Sequence, residues 1–383
     1  MQVATLTVDP HYLAGIAVAA AFSGVLLLIP FFRQTWYACT LSIIAAGVYY
    51  GREFPGFVLV SAAAYAVMRG LCGATSPEQR WRWACVAMLV LAGVFTLARV
   101  EQWERYWSVA GLGPIVLLSL GMWPTLKLMT LFWEVGSGSL PAPTLLTYVL
   151  WICLPFTLSG PVLRFSQMPG TLVIDWRTLA SAGWWFEAAA ATAKLMVGVS
   201  LNFGQQLLRT HFPQAHYFDN AISAFVTGPI GFYLTTAGYF HWMELLARPA
   251  GVKIPPSFNF PVGRENISAF WMNWNMTATY VFRDYLFYNR WGRRTYNIYF
   301  NTILLFTLVG LWHAANAYWV LWGFLHGLLF TIFLLWRKYR GALPRLPLAG
   351  TRLANMGARV LTYFSVCMCW YLPSKILQKL AVL

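Results

Sequence analysis

The chain has 383 residues, of which 59% are hydrophobic and only 10% are charged, and its formal net charge is +15. Soluble domains carry roughly 25% charged residues, so this composition excludes an ordinary soluble protein and indicates a polytopic membrane protein. The basic excess does not indicate nucleic-acid binding. Lys and Arg cluster at the ends of apolar runs, where the positive-inside rule of membrane proteins places them.

Apolar runs recur along the whole chain, and the long ones are close to the ~20 residues that cross a bilayer as a helix. They predict an all-α polytopic membrane protein with about ten or eleven transmembrane helices. The polar connections are too short to hold a soluble domain, so we expect a single membrane domain over residues 1–383. The runs lie near residues 12–30, 36–50, 55–69, 83–98, 107–133, 144–160, 180–200, 221–246, 297–312, 316–336 and 357–373.

The segment 247–294 is the least membrane-like part of the chain. It begins with ARPAGVKIPPSFNFPVGRENISAFW, which is rich in Pro, Gly and Asn, and continues as MNWNMTATYVFRDYLFYNRWGRR, in which aromatic and polar residues are interleaved. Such a sequence is too polar for a lipid-facing helix and too aromatic for a plain loop. Polar or irregular backbone at membrane depth persists only where it is buried in protein or lines a wet cavity. We therefore expect a re-entrant or interfacial element that leads to a site at a central tunnel.

Two histidines, His313 and His326, lie inside runs that otherwise look like transmembrane helix. A polar side chain at membrane depth is by default a functional candidate, and histidine can accept a proton near neutral pH. His313 is therefore the candidate base; the alternative is a histidine that bridges two helices. On a continuous helix, His326 would lie about 220° around the axis from His313, which favours a packing or supporting role for it. A haem bound by the two histidines is a further interpretation, and no other residue supports it.

Four sequence blocks, in the same order, resemble those of the membrane-bound O-acyltransferase family, and in particular its bacterial branch. The blocks are SGPVLRFSQM at 159–168, IPPSFNFPVGRENISAFW at 254–271, FWMNWNMTATYVFRDYL at 270–286 and GLWHAANAYWVLWGFLHG at 310–327. By this resemblance, residues 155–330 would form the acyltransferase core. Residues 1–150 would be peripheral spans, and residues 331–383 would be a basic segment followed by the last span.

The resemblance implies a multi-helix enzyme that moves an acyl group, acetyl or another short acyl, from a thioester to a hydroxyl. The donor would be acyl-CoA or an acyl-carrier-protein thioester on the cytoplasmic side. The acceptor would be an exported cell-surface glycan or a lipid-linked molecule. No tightly bound cofactor and no metal are expected. The protein would lie in the bacterial inner membrane, where a partner outside the cytoplasm would complete the transfer.

Acyl transfer to a hydroxyl needs a base that takes the hydroxyl proton and donors that hold the oxyanion. The resemblance assigns the base to His313 and gives the Asn275 amide to the acyl carbonyl; a hydrogen bond between helices is the alternative for Asn275. The candidates for binding the donor's phosphates are Arg283, Arg290, Arg293 and Arg294. For the last three, anchoring of the topology is the alternative. The residues expected to contact substrate or line the tunnel are Trp274, Trp312, His326, Arg164 and Asn273.

Two local expectations accompany these assignments. Arg283 and Asp284 are adjacent, so on a helix their side chains should not face each other, and we expect them to anchor the element at the membrane interface. The Gly160-Pro161 pair predicts either a kinked span or the end of a helix.

The sequence departs from the pattern of the bacterial branch at two positions and in one run of residues. Asn275 stands where that branch usually has His, although the eukaryotic lipid-acylating branch commonly has Asn. Ala314 replaces a Gly that follows the motif histidine. The run GYFHWME at 238–244 replaces a G-Y-S-D-I run, which leaves the acceptor, or the way it is contacted, open. In that run His241 and Glu244 are spaced to share a helix face, but two such ligands alone are weak support for a metal.

Rival interpretations stay open at this point. A transporter or flippase for a lipid-linked saccharide would use the same polar residues along a substrate path. A structural subunit of an envelope assembly would keep the fold without the activity. Within the enzyme class, Asn275 leaves a lipid or protein acceptor open.

Overall fold

The structure is a computed structural model, and it describes residues 10–29, 34–73, 76–98, 122–169, 171–211, 223–287, 297–342 and 351–380. Within these residues the regular secondary structure is helical, and no strand occurs. The prediction of an all-α polytopic membrane protein is confirmed.

The helices follow the predicted runs in chain order. The first eight are α1 (Pro10–Leu28), α2 (Thr35–Tyr50), α3 (Phe54–Cys72), α4 (Pro77–Ala98), α5 (Met122–Gly136), α6 (Leu145–Ile152), α7 (Arg177–Ala180) and α8 (Ala182–His211). The others are α9 (Gly228–Ala247), α10 (Ile267–Trp271), α11 (Met276–Val281), α12 (Ile298–His313), α13 (Ala317–Tyr339) and α14 (Arg352–Leu380). Short 3₁₀ turns lie at Gly51–Glu53, Pro155–Thr157, Phe165–Gln167, Arg248–Ala250 and Arg340–Ala342, and π-helical turns at Ser223–Thr227 and Phe282–Phe287.

Five helical stretches among the described residues are long and apolar enough to cross a membrane, so this is an integral membrane protein. α12 is equally apolar in character but has only 16 residues. The total of about ten or eleven crossings stays a prediction, since most of the run 107–133 lies outside the described residues. The five stretches are His11–Leu28, Thr35–Cys72, Pro77–Leu97, Ala317–Tyr339 and Arg352–Leu380.

The described residues fall into two compact units. The N-terminal unit takes its residues from Val8–Met196 and Thr235–Pro255, and the C-terminal unit from Val197–Leu234 and Pro256–Leu383. The core of the N-terminal unit is a cluster of apolar side chains from α2 to α6. The core of the C-terminal unit gathers aromatic and aliphatic side chains from α10, α13 and α14. The single membrane domain expected from the sequence stays a prediction.

The predicted run 144–160 is helical only as far as Ile152. The segment 153–163 that follows is buried throughout, although apart from one 3₁₀ turn it is irregular. Pro155 and Pro161 within it lack the N–H group that a helix interior requires. The break expected at Gly160-Pro161 is therefore the end of a helix, and it comes several residues earlier than the sequence indicated.

Lys127 on α5 holds this irregular segment in place. Its side chain is 1% exposed, and its ammonium group donates to the carbonyl oxygens of Trp151 at 2.7 Å and Ile152 at 3.4 Å. It also donates to the hydroxyl of Thr157 at 2.9 Å. The last carbonyls of a helix have no partner within the helix, so the buried ammonium satisfies the C-terminal end of α6.

α12 and α13 form an antiparallel hairpin whose connection is only residues 314–316. Three glycines let the two backbones touch. A Cβ atom on Gly310 or Gly323 would overlap a backbone carbonyl oxygen of the facing helix, and one on Gly327 would lie 2.7 Å from the Cα of Ile303. Small residues four positions apart, as Gly323 and Gly327 are, allow this close packing of helices in membranes.

We predict that Gly323→Ala separates the hairpin. The added methyl group meets a backbone carbonyl that cannot rotate away, so we expect a loss of about 1–3 kcal/mol in stability, measured as a lower thermal unfolding midpoint in detergent. Gly357→Ala on α14 is the matched control, because nothing lies within 4 Å of its Cβ position. Equal midpoints for the two variants would contradict the packing described.

Lys127→Met should also destabilise the protein. The variant keeps the apolar stem but removes the ammonium donor from the buried carbonyl oxygens of Trp151 and Ile152, which costs about 1–3 kcal/mol. Arg82→Met removes a side chain whose partner, Glu78, is equally exposed at 74%, and such surface pairs contribute little. The thermal midpoint should therefore fall for Lys127→Met and stay near the wild-type value for Arg82→Met; a parallel response would argue against the buried cap.

Candidate active site

His313 is the last residue of α12, at the turn of the hairpin. Its half-buried imidazole is stacked on Trp319, with ring centroids 4.5 Å apart and planes 20° apart. Trp312 and Trp322 contact the same ring at 4.9 and 5.4 Å. The predicted base therefore sits against three indole rings, in surroundings that are apolar on those sides.

Asn275 lies between α10 and α11, where the chain makes a sharp turn. It adopts the left-handed conformation, with φ 40° and ψ 54°, which Asn tolerates better than most residues. Its side-chain oxygen is buried and has no hydrogen-bond partner among the described residues. The backbone N–H of the next residue, Met276, donates to the carbonyl of Ser257 at 2.7 Å, so the turn is attached to the Pro-rich segment 254–261. The polar and aromatic stretch is thus two short helices with Asn275 at the corner.

The two motif blocks meet in the C-terminal unit. Trp271 of the FWMNW block lies 5.9 Å from Trp322 and 5.2 Å from His326, both of the WGFLHG block. Trp322 in turn contacts His313. A second contact joins Phe282 to Trp312 at 5.3 Å.

His326 is fully buried, at 0% exposure. It lies on α13, whereas His313 ends α12, so the two histidines belong to antiparallel helices and not to one continuous helix. The Nδ1 atom of His326 is 2.9 Å from the carbonyl oxygen of Trp322. Both histidines touch Trp322, and this ring connects them.

Trp274 and Asn273 occupy different positions in the same block. Trp274 is stacked on Phe270 at 5.4 Å and packs against Phe258 at 5.3 Å. Asn273 donates to the carbonyl of Ala269 at 2.7 Å and accepts from Arg264 at 3.1 Å. The nitrogen and the oxygen of the Asn273 amide are therefore both hydrogen-bonded, the first to Ala269 of α10 and the second to Arg264, which follows the Pro-rich segment 254–261.

The expectation that Arg283 and Asp284 do not face each other is wrong. The Nε atom of Arg283 donates to a carboxylate oxygen of Asp284 at 2.7 Å, with about a third of each side chain exposed. The guanidinium also lies over the ring of Tyr280, 4.7 Å from its centroid. The segment is a π-helical turn, and the long Arg283 side chain reaches the carboxylate of its chain neighbour directly.

Of the other predicted arginines, Arg290, Arg293 and Arg294 are outside the described residues. Arg164 lies in the N-terminal unit, directly before the 3₁₀ turn Phe165–Gln167, and its backbone N–H donates to the side chain of Gln167 at 3.0 Å.

The run at 238–244, which differs from the bacterial branch, contributes His241 to an ionic network in the N-terminal unit. The ammonium of Lys194 can only donate, so the Nδ1 atom of His241, 3.3 Å away, accepts from it. The other ring nitrogen then donates to Glu187 at 3.4 Å. Glu187 also accepts two hydrogen bonds from Arg248, at 3.0 and 2.8 Å. His241 is thereby hydrogen-bonded to a cation and to an anion. Within the described residues, no group of three His, Cys, Asp or Glu side chains is placed to hold a metal ion.

Sequence reasoning missed the tryptophans that assemble the site, namely Trp271, Trp319 and Trp322. One signal was available for Trp322, because it precedes His326 by four positions and side chains at this spacing share a helix face. Nothing in the sequence indicated that Trp271 would meet that face.

Known bacterial proteins are similar to this chain. The protein named probable alginate O-acetylase AlgI of Pseudomonas putida is 26% identical over 272 residues, which cover 66% of this chain and 55% of that protein. The protein of the same name in Pseudomonas aeruginosa is 26% identical over 359 residues, or 87% of this chain and 66% of that protein. Teichoic acid D-alanyltransferase of Bacillus subtilis is 30% identical over 150 residues, or 36% of this chain and 37% of that protein.

The chain is thus similar to bacterial proteins of the membrane-bound O-acyltransferase family. The resemblance inferred from the four sequence blocks is thereby confirmed. No family model matches the chain. The matched segments span between 37% and 66% of the length of the three relatives.

Proposed function

We propose that the protein is a membrane O-acyltransferase that moves a short acyl group from a thioester to a hydroxyl of a cell-envelope polymer. The observation that carries the proposal is the contact between the two motif blocks, in which Trp271 touches Trp322 and Trp322 touches His313. The relatives support the reaction class, since they are named for O-acetylation of alginate and for D-alanyl transfer to teichoic acid.

In the proposed reaction His313 acts as the general base. Its neutral imidazole accepts the proton of the acceptor hydroxyl while the hydroxyl oxygen attacks the thioester carbonyl carbon. The negative charge that forms on the carbonyl oxygen is held by hydrogen-bond donors, including the amide N–H of Asn275. The carbon–sulfur bond then breaks, and the departing thiolate takes the proton from the imidazolium. Protons and charges balance without a cofactor.

The surroundings of His313 suit this chemistry. The indole rings of Trp312, Trp319 and Trp322 cover the imidazole on several sides, and a site that excludes water strengthens the interactions of developing charges. The side-chain oxygen of Asn275 is buried and has no partner among the described residues. This oxygen is therefore available to accept a hydrogen bond from a substrate.

The finer assignments belong to the same proposal. The donor is acyl-CoA or an acyl-carrier-protein thioester that approaches from the cytoplasmic side of the inner membrane. Its phosphates meet the basic residues that follow the FWMNW block, which are Arg283, Arg290, Arg293 and Arg294. An extracytoplasmic partner protein delivers or completes transfer to the exported polymer.

His313→Phe is the direct test of the base. Phe keeps an aromatic ring for stacking on Trp319 but cannot accept a proton, so the protein should remain folded while turnover falls about 10²–10⁴-fold. The measurement is thiol release by purified protein from acetyl-CoA, longer acyl-CoA and acyl-carrier-protein thioesters, with a soluble oligosaccharide as acceptor.

A matched His→Phe control is available at His11, which contacts Tyr49 in the N-terminal unit. His11→Phe should keep wild-type turnover. Near-normal turnover by His313→Phe would remove His313 from the mechanism. A wild-type protein that cleaves none of these thioesters would favour the transporter interpretation.

The variant Asn275→Gly tests the side-chain amide of Asn275 separately from the backbone turn. Gly adopts a positive φ without strain, so this variant removes only the side chain, whereas Asn275→Ala also strains the corner. If the amide stabilises the transition state, kcat falls about 10²-fold in the Gly variant with little change in KM. Wild-type kcat in Asn275→Gly, with a loss confined to Asn275→Ala, would mean that only the turn matters.

A further inference from the structure

The buried histidine of α13 offers a hydrogen-bond acceptor that no described residue uses. The Nδ1 atom of His326 lies 2.9 Å from the carbonyl oxygen of Trp322. A carbonyl oxygen can only accept, so Nδ1 carries the proton, and in the neutral ring Nε2 is left as an acceptor. Within the described part of the chain, this buried Nε2 atom has no hydrogen-bond partner.

Two buried donors lie in the rings next to it. The indole N–H groups of Trp271 and Trp322 are both buried and have no partner among the described residues. The three rings contact one another, with centroids 4.3 Å apart for Trp322 and His326, 5.2 Å for Trp271 and His326, and 5.9 Å for the two indoles. Native proteins rarely leave a buried donor or acceptor unpaired, and here three occur together.

The three groups define the chemistry of the ligand that would satisfy them. They offer two N–H donors and one acceptor, so the complementary group must donate once and accept twice. A hydroxyl does this, with one O–H and two lone pairs, and a water molecule does so with one of its two O–H groups. A carbonyl oxygen has no proton for His326, and an ammonium group cannot accept from the indoles.

We propose that Trp271, Trp322 and His326 bind one hydroxyl group. The hydroxyl donates to Nε2 of His326 and accepts from the two indole N–H groups. Its source is either the acceptor substrate, in which case the assignment rests on the proposed acyl transfer, or a buried water molecule. Trp322 also contacts His313, with ring centroids 5.4 Å apart. A hydroxyl bound to the N–H of Trp322 would therefore be separated from the proposed base by the Trp322 side chain.

The test uses variants that change one polar atom at a time in the full-length protein. Trp271→Phe and Trp322→Phe each remove one donor. His326→Asn keeps an N–H close to the position of Nδ1 but removes the acceptor, whereas His326→Gln retains an amide oxygen near the position of Nε2. Trp370→Phe is the matched control, since Trp370 packs on Trp322 at 5.4 Å without contributing one of the three unpartnered atoms.

Two readouts distinguish the two sources. Kinetics use methyl β-D-glucoside as the acceptor and the thioester that the wild-type protein cleaves best; thermal midpoints are measured without either substrate. If the acceptor supplies the hydroxyl, the KM for the glucoside rises about tenfold in the two Trp→Phe variants and in His326→Asn, while midpoints match the wild type. If water supplies it, the midpoints fall by about 2–4 °C relative to Trp370→Phe, and KM is unchanged. In both cases His326→Gln lies closer to the wild type than His326→Asn.

The proposal is overturned if the three variants match Trp370→Phe in both KM and midpoint, or if His326→Asn and His326→Gln behave alike. If the wild-type protein cleaves no thioester, the acyltransferase proposal is rejected, and with it the acceptor as the source of the hydroxyl. The hydroxyl site then stands if the midpoints of the three variants fall below that of Trp370→Phe, and is overturned if they do not.

Discussion

The close contact of α12 and α13 is the constraint on which the candidate site depends. In a bilayer, lipid tails are as apolar as leucine side chains, so helices associate through close packing and hydrogen bonds and not through the hydrophobic effect. Gly310, Gly323 and Gly327 allow the two backbones to touch. The short turn between the helices then keeps His313 at the end of one helix against the rings at the start of the other. Any separation of the hairpin would move the imidazole away from Trp319 and Trp322.

Buried polar groups play two different parts in this molecule. The ammonium of Lys127 has three oxygen partners from the protein, so it serves the fold of the irregular segment after α6. The polar atoms of Trp271, Trp322 and His326 are equally buried but have no partners among the described residues. Polar side chains at membrane depth are costly and mark functional sites. The contrast therefore separates a group that holds the structure from the groups that we propose bind a hydroxyl or a water molecule.

The sequence was sufficient for the class of protein, whereas the catalytic role of His313 stays a prediction. Apolar runs predicted the helices, and the order of the four blocks predicted the family. What it could not predict are the contacts made between distant segments. The ring contact of Trp271 with Trp322 joins residues about fifty positions apart, and no local pattern encodes it. The ion pair of Arg283 and Asp284 was also missed, because a rule for helix spacing does not include the reach of a long side chain to its chain neighbour. Glycine spacing in GFLHG was a readable signal for the hairpin contact, and it is the part of the site that sequence reasoning could have recovered.

We propose that the acyl group moves from the thioester to the acceptor hydroxyl at a site where His313 takes the hydroxyl proton and the Asn275 amide binds the acyl carbonyl. The mechanism can be tested with an experimental structure of the protein in lipid nanodiscs with a ketone analogue of acetyl-CoA, in which a methylene group separates the sulfur from the carbonyl. This analogue keeps the carbonyl but has no thioester bond that acyl transfer could cleave. We expect the analogue's carbonyl to lie beside the imidazole of His313 and within hydrogen-bond distance of the Asn275 amide. An analogue bound away from His313, with its carbonyl in contact with neither side chain, would contradict it.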